Sequence, residues 1–172
     1  LDFDIQGMLD TIISLSKQHI QTVGAGSNSA DARSGTILQT DNGTVGFLSY
    51  SLTFPESFWA TKDKAGTAFG HEKDIREDVQ RLSNQVDYVI VSFHWGREKS
   101  LVLRPYQPTL GRAAIDAGAD IVLGHHPHVL QAVEEYNDGL IIYSLGNFVF
   151  GSYSPDAKTS VIARLTLHKG KY

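Results

Sequence analysis

The sequence predicts an α/β fold in a single domain of 172 residues. An amphipathic helix that begins at Glu72 is followed by the apolar strand 88–93, a helix over 110–117 and the apolar strand 121–123. Strands that are apolar almost throughout are typical of sheets covered on both faces. Because a strand–helix–strand order implies a right-handed parallel crossover, we expect a parallel sheet flanked by helices.

Local patterns predict the remaining elements. Apolar residues at helical spacing indicate a helix, whereas Asn-Gly and Asp-Gly between apolar runs indicate hairpins. Small residues near the first hairpin indicate a tight turn or, alternatively, a cradle for a ligand. In chain order we expect a helix over 6–18, the turn at 24–28, strands at 36–40 and 44–50, a long loop at 54–70, strands at 129–133 and 140–143, and a last strand at 160–167.

Composition excludes several classes of function. The net charge of -4 leaves no basic face for nucleic acid, so we expect no nucleic-acid partner. The absence of cysteine excludes disulfides and thiolate catalysis. The sequence contains no apolar run of 18 residues and no signal peptide at its start. A helix begins almost at Leu1, so we expect a segment of a longer protein and read no localisation from it.

Three histidines fall within four residues in Gly124-His125-His126-Pro127-His128. They come directly after the short strand 121–123, where a buried strand runs out into a loop. Neutral imidazole is the commonest protein ligand for transition metals, so this density indicates a metal or catalytic site. The alternative is a polar turn in which the histidines cap backbone groups.

His94 ends the preceding predicted strand of the same sheet. In open sheets of this type, sites form beyond the carboxyl ends of the strands. If the two strands are neighbours, about 5 Å apart, His94 and the histidine cluster converge on one point. This coincidence favours the metal site over the polar turn.

Three blocks of sequence resemble the bacterial CapA/PgsA family. That family is associated with poly-γ-glutamate capsule biosynthesis and is similar to calcineurin-like metallophosphoesterases. The blocks occur in the family's order, which makes the resemblance specific. They are 91–98 with His94-Trp95-Gly96-Arg97-Glu98, 117–131 with the histidine cluster, and 143–150 with Gly146-Asn147.

The resemblance implies a metallophosphoesterase-like sandwich of two packed sheets flanked by helices, with a divalent-metal site for Mn, Zn or Fe. The family's Gly-His-x-His motif maps onto His126 and His128, and its strand-end histidine maps onto His94. His125 is then a third ligand or a neighbour of the ligands. Glu98 and Asn147 match the acidic residue and the Gly-Asn of the other two blocks.

The family's early Asp-containing strand and its Asn-Asn-His motif have no counterpart here. Leu1-Asp2-Phe3 resembles the residues that come immediately after Asn-Asn-His in the family. We therefore expect residues 1–172 to be the C-terminal portion of a larger domain, with part of a two-metal site contributed by a segment before Leu1.

Candidate roles can be assigned to individual side chains. His94, His126 and His128 are candidate metal ligands, and Glu98 and His125 are candidate catalytic groups. Glu98 is alternatively a solvated loop carboxylate or orients a histidine. Candidate substrate contacts are Arg97 and Arg104, whose guanidinium groups suit an anion, and Asn147, which alternatively coordinates metal or braces its loop. Arg112 is expected to be solvated, and no function is assigned to His19, His71 and His168.

Two functions remain open. The first is a metal-dependent hydrolase acting on a phosphoester or an amide bond of an anionic polymer. The second is a non-catalytic partner in a membrane-bound capsule synthesis or export complex, with a structural or vestigial metal site. The family resemblance suggests an extracytoplasmic, membrane-associated location.

Overall fold

The structure, a computed structural model, describes residues 3–151 and 155–167. It confirms the α/β class, because a six-stranded mixed sheet is packed against helices. A second sheet in the described residues has two short strands. Leu1, Asp2 and His168 lie outside the described residues.

The described residues form four helices and eight strands. The helices are α1 (Asp4–Lys17), α2 (Ser29–Ala32), α3 (Glu72–Ser83) and α4 (Tyr106–Asp116). The strands are β1 (Ala25–Gly26), β2 (Thr36–Thr40), β3 (Gly43–Ser51), β4 (Gly66–Thr67), β5 (Tyr88–His94), β6 (Ile121–His125), β7 (Val133–Tyr136) and β8 (Gly139–Ile142). Short 3₁₀ turns occupy Glu56–Phe58 and Asp156–Lys158.

The large sheet has the strand order β2-β3-β5-β6-β8-β7. Its four central strands run parallel, and the two edge strands are antiparallel. Strands β5 and β6 are neighbours, as convergence of the histidines requires, and His94 is the register partner of His125. The carboxyl ends of both strands therefore lie at one edge of the sheet.

The core lies between this sheet and the two long central helices. Helix α3 packs on β3 and β5, and α4 packs on β6 and β8. Burial alternates along β5, so that Val89, Val91 and Phe93 face the helices while the residues between them face the other way. Each large apolar side chain buried in this way contributes about 1.5 to 3 kcal/mol. His94 and His125 continue the same alternation and project from the face opposite the helices.

Both hairpins form, but the second starts later than predicted. Strands β2 and β3 pair across the Asn-Gly turn as expected. The strand predicted over 129–133 is wrong in its bounds, because β7 begins only at Val133 and residues 129–132 contribute one isolated bridge, Leu130 to Leu145. The predicted turn at 24–28 contains β1, whose two residues pair with β4 inside the long loop.

The predicted last strand, 160–167, is wrong. This segment has no regular ladder in the described structure, and most of its side chains are exposed. Among the described residues, one backbone hydrogen bond, from Val161 N to the Leu145 carbonyl at 3.3 Å, links it to the body of the fold. Alternating apolar residues favour a strand, but a strand also needs a paired neighbour.

None of the helices in the described residues is both long and apolar enough to cross a membrane.

Candidate metal centre

At the carboxyl end of β6, the backbone of Gly124 passes very close to Tyr143 and Trp95. A side chain at Gly124 would overlap the carbonyl oxygen of Tyr143 and the indole of Trp95. Trp95 is fully buried, stacks on Phe93 with ring centroids 4.4 Å apart, and donates from Nε1 to the Tyr143 carbonyl at 3.0 Å. The glycine that opens the histidine cluster is therefore required by packing.

The backbone then turns sharply through two histidines. His126 has φ +96° and His128 has φ +59°, positive values that are uncommon for any residue except glycine. Such conformations cost about 1 to 3 kcal/mol each and occur most often at functional sites, where the surrounding structure enforces them. Pro127 separates the two, and its carbonyl accepts a hydrogen bond from Lys99 N at 2.8 Å.

This turn brings two imidazoles to one carboxylate. One potential ligand atom from each of Glu98, His126 and His128 lies within 4.8 Å of the other two. The histidines are half-buried and Glu98 is exposed. Two imidazoles with one carboxylate form a donor set that suits Zn²⁺ and other borderline divalent ions, and three protein ligands are the usual number in catalytic zinc sites. The residues present therefore fit a divalent ion.

His94 lies beside this group of three and is not one of its members. Its ring centroid is 4.7 Å from that of His126, and the rings of His126 and His128 are 6.2 Å apart. The structure thus brings the three predicted metal ligands, His94, His126 and His128, close together. Glu98 forms the compact group with His126 and His128. His125, the register partner of His94, lies at the strand end with only part of its side chain exposed.

Loss of hydration favours the neutral form of three of these imidazoles, those of His94, His125 and His126. Loss of water around the ring lowers the pKa of His94 to about 4, with a further contribution from the neighbouring histidines. The same loss of water lowers the pKa of His125 and of His126, although Glu98 opposes the effect at His126. Neutral imidazole is the form that binds metal, so these rings need not release a proton near pH 7.

Asn147 fixes the tautomer of His128. The buried amide donates from Nδ2 to the Ala157 carbonyl at 2.9 Å, so that Oδ1 is left to accept from His128 Nδ1 at 2.7 Å. In the neutral ring the proton therefore sits on Nδ1, which leaves the Nε2 lone pair for a ligand. Bracing of a metal-binding histidine through its other nitrogen is a common feature of metal sites.

The predicted arginine contacts are not gathered at the histidines. Arg97 and Arg104 are exposed and form no ion pair with any residue of 3–151 or 155–167. Arg112 is exposed as expected, pairs with Glu134 at 2.6 Å and lies over the ring of Tyr136. Arg97 and Arg104 therefore remain candidates for an anionic ligand, whereas Arg112 has a structural partner.

A match to a family model accounts for this arrangement of motifs. The model is described as bacterial capsule synthesis protein PGA_cap, and it matches residues 1–152. The chain belongs to this family. Its predicted resemblance to the capsule proteins is thereby confirmed.

Related proteins cover the chain almost completely. The PGA biosynthesis protein CapA of Bacillus subtilis is 36% identical over 170 residues, which is 98% of this chain and 45% of that protein. The capsule biosynthesis protein CapA of Bacillus anthracis is 35% identical over 96% of this chain and 41% of that protein. A probable polyglutamine synthesis accessory protein of Mycobacterium tuberculosis is 33% identical over 87% and 42%. The chain thus spans less than half the length of these relatives.

Solved structures show a weaker likeness. A putative 5'-nucleotidase from Staphylococcus aureus, in complex with α-ketoglutarate, has a TM-score of 0.49 at 16% identity, covering 74% of this chain and 27% of that chain. A novel phosphatase from Mycoplasma pneumoniae has a TM-score of 0.45 at 16% identity, covering 66% and 35%. At these scores the likeness adds nothing to the assignment of the PGA_cap family.

Some residues around the site of this PGA_cap protein were not predicted from sequence. Gln107 and Gln131 are buried between the loop of Glu98 and the segment after the histidines. An apolar cavity of about 420 Å³ opens beside His125, lined in part by Leu145 and Ile162. For Gln107 the sequence offered one signal, a polar side chain three residues before Leu110 on the apolar stripe of α4.

Proposed function

We propose that this PGA_cap chain carries a divalent-metal centre that hydrolyses a phosphoester or amide bond of an anionic substrate in capsule synthesis. The observation that carries the proposal is the convergence of Glu98, His126 and His128 within 4.8 Å. Clusters of ligand-type side chains at the carboxyl edge of a parallel sheet are characteristic of catalytic sites.

In this proposal each residue has a separate task. His126 and His128 would hold the ion through ring nitrogens, and Asn147 occupies Nδ1 of His128 so that Nε2 is left as its coordinating nitrogen. Glu98 serves as the third ligand, so its predicted acid–base role passes to His125. When bound, a divalent ion supplies Lewis acidity and activates water at neutral pH. His125 is exposed at the strand end and neutral, so it can accept a proton there.

The nature of the substrate is inferred from charge and from the relatives. Arg97 lies next to Glu98 in sequence, and its guanidinium pairs with no described carboxylate, so it is available for an anion. The relatives are described as proteins of PGA or polyglutamine synthesis. We infer an anionic polymer of the poly-γ-glutamate type, or a small phosphoester, and an extracytoplasmic location at the membrane.

A second function is favoured by one specific observation. The relative from Mycobacterium tuberculosis is described as a probable accessory protein. On this view the domain is a non-catalytic partner in a membrane-associated synthesis complex, and the metal has a structural role. The two functions predict the same metal binding and differ only in turnover.

The first experiment tests the metal. A full-length protein with His126→Ala and His128→Ala is expected to lose bound divalent metal, because two of three donors are gone. Metal content is measured by elemental analysis after loading with Mn²⁺, Zn²⁺ or Fe²⁺ and gel filtration. His19→Ala removes a histidine at the exposed end of α1 and should change nothing. Unchanged metal content in the double variant would rule out the site.

The second experiment separates the two functions. Phosphodiester and γ-glutamyl substrates are assayed with the loaded full-length protein and with its double variant. Turnover that disappears with the metal supports hydrolysis. Metal binding without turnover on any of these substrates supports the accessory role.

A further inference from the structure

Two buried glutamines connect the loop of Glu98 to the segment after the histidines. Gln107, in the first turn of α4, is 0% exposed, and Gln131, three residues after His128, is 9% exposed. Gln107 Oε1 accepts from Arg104 N at 2.7 Å, and its Nε2 donates to Gln131 Oε1 at 3.0 Å. Gln131 Nε2 in turn donates to the Ser100 carbonyl at 2.8 Å.

The direction of this chain of hydrogen bonds is fixed. Its first donor is the backbone N–H of Arg104 and its last acceptor is the backbone carbonyl of Ser100. Rotating the amide of Gln107 would set N–H against N–H at Arg104 and oxygen against oxygen at Gln131. Two hydrogen bonds would be lost inside the protein, where an unpaired polar group costs about 1 to 3 kcal/mol. The pair therefore has one arrangement and holds its two loops at one separation.

Helix capping explains only half of the arrangement. The bond from Arg104 N to the side chain of Gln107 resembles the backward half of a capping box at the start of α4. To cap the helix, the side chain of residue 107 needs only an acceptor such as Oε1. Capping does not explain why Gln107 also donates from Nε2 to Gln131. A buried amide pair is otherwise costly compared with apolar side chains of the same size. The second half of the arrangement therefore calls for another role.

The loop bridged in this way carries Glu98. Its carboxylate makes no hydrogen bond with any described residue, so its place depends on the backbone from Gly96 to Ser100. That backbone is attached to the histidine loop by Lys99 N donating to the Pro127 carbonyl. Gly96, at φ +86°, packs against the amide of Gln107, where an added Cβ would lie 3.2 Å from both amide atoms.

We propose that Gln107 and Gln131 are positioning residues that hold Glu98 at ligand distance from His126 and His128. The inference rests on the proposed metal site. In this role the glutamines are not ligands and act through the backbone on both sides of Glu98, at Gly96 and at Ser100. Residues outside the ligand shell commonly change metal affinity by about 10- to 100-fold when they are replaced.

A double-mutant cycle with Glu98 tests this role. Gln107→Leu keeps the volume of the side chain and removes its amide, so Zn²⁺ affinity of the full-length protein should fall by about 10- to 100-fold. If the glutamine acts through Glu98, the same change in a Glu98→Gln background should alter the affinity by less than about two-fold. Affinity is measured by competition with a chelator dye, and the absorption spectrum of bound Co²⁺ reports the change in coordination.

Two further variants separate positioning from folding. Gln131→Met leaves the cap of α4 intact and removes the bridge, so it should reproduce the loss of affinity and its dependence on Glu98. If Gln107→Leu does not fold, Gln131→Met alone serves as the test of the bridge. Leu110→Ala, one turn further along α4, opens a cavity in the core and should lower the melting temperature with Zn²⁺ affinity unchanged.

The outcomes distinguish this inference from the proposed function. The positioning role would be overturned if the glutamine variants left Zn²⁺ affinity unchanged. It would also be overturned if their effects on affinity simply added to the effect of Glu98→Gln. That result leaves the metal site standing if the His126→Ala, His128→Ala protein has lost its metal. Retention of metal by that protein would instead remove the site on which both proposals depend.

Discussion

His128 combines an uncommon backbone conformation with a fixed side-chain tautomer. Its φ of +59° turns the chain after Pro127, and Asn147 holds its Nδ1 proton. Phe150 stacks on the same ring with centroids 5.0 Å apart. Backbone, amide and aromatic ring therefore all orient one imidazole, which is the condition for a preformed ligand.

The amide of Asn147 is accordingly expected to matter for metal affinity. Asn147→Ala leaves the Ala157 carbonyl unpaired and frees the His128 ring to change tautomer. We expect Zn²⁺ affinity to fall by about 10- to 100-fold. Isothermal titration of the full-length variant measures the change. Asn84→Ala removes an exposed asparagine at the end of α3 and serves as the control. Equal affinities of the two variants would contradict the bracing role.

At the scale of elements, the site depends on how closely β6 approaches its neighbours. The carboxyl end of β6 passes the Tyr143 carbonyl and the Trp95 indole with no room for a side chain at Gly124. Trp95 N also donates to the His125 carbonyl at 3.1 Å, which continues the β5–β6 pairing past the strand end. The positions of His94 and His125 are therefore set by packing in the core beneath them.

Gly124→Ala should consequently be severely destabilising. The added methyl group cannot be accommodated without moving the Tyr143 backbone or the buried indole, and overpacking of this kind costs about 3 kcal/mol. Urea denaturation gives the free energy of unfolding. Gly151→Ala is the matched control, because nothing lies within 4 Å of the added Cβ. If Gly124→Ala lowered the free energy of unfolding no more than Gly151→Ala, the end of β6 would have room for a side chain and the packing argument would be wrong.

The sequence predicted those elements whose signals are local. Asn42-Gly43 specified the first hairpin, and the apolar runs of β5 and β6 indicated two parallel strands with histidines at their ends. The segment 160–167 was wrongly predicted as a strand because alternation says nothing about whether a partner strand is in place. The contact of Asn147 with Ala157 and the bridge from Gln107 to Gln131 join distant parts of the chain. No local pattern encodes such contacts.

At the scale of the whole molecule, the metal centre and the main charge cluster are built on different residues. Asp78, on α3, is 4% exposed and accepts hydrogen bonds from Arg33, Arg81 and the hydroxyl of Tyr50. This cluster ties the residue after α2 to α3 and to β3. It shares no residue with the cluster of Glu98, His126 and His128. Stability and metal binding should therefore respond to different substitutions.

Asp78→Ala tests this separation. The variant leaves the Tyr50 hydroxyl without its acceptor and removes the carboxylate that binds Nε of Arg33, whose Nη1 keeps Asp74 at 3.0 Å. Breaking a buried pair costs about 3 to 5 kcal/mol. We expect a cost at the lower end of this range, about 3 kcal/mol, because Arg33 keeps Asp74 and the exposed Arg81 recovers its hydration. Tyr50→Phe removes one hydrogen bond and should cost about 1 kcal/mol. Thermal denaturation measures both variants, and Zn²⁺ titration below their melting temperatures should give the wild-type affinity. A loss of affinity in folded Asp78→Ala would show that the charge cluster supports the metal centre across the sheet.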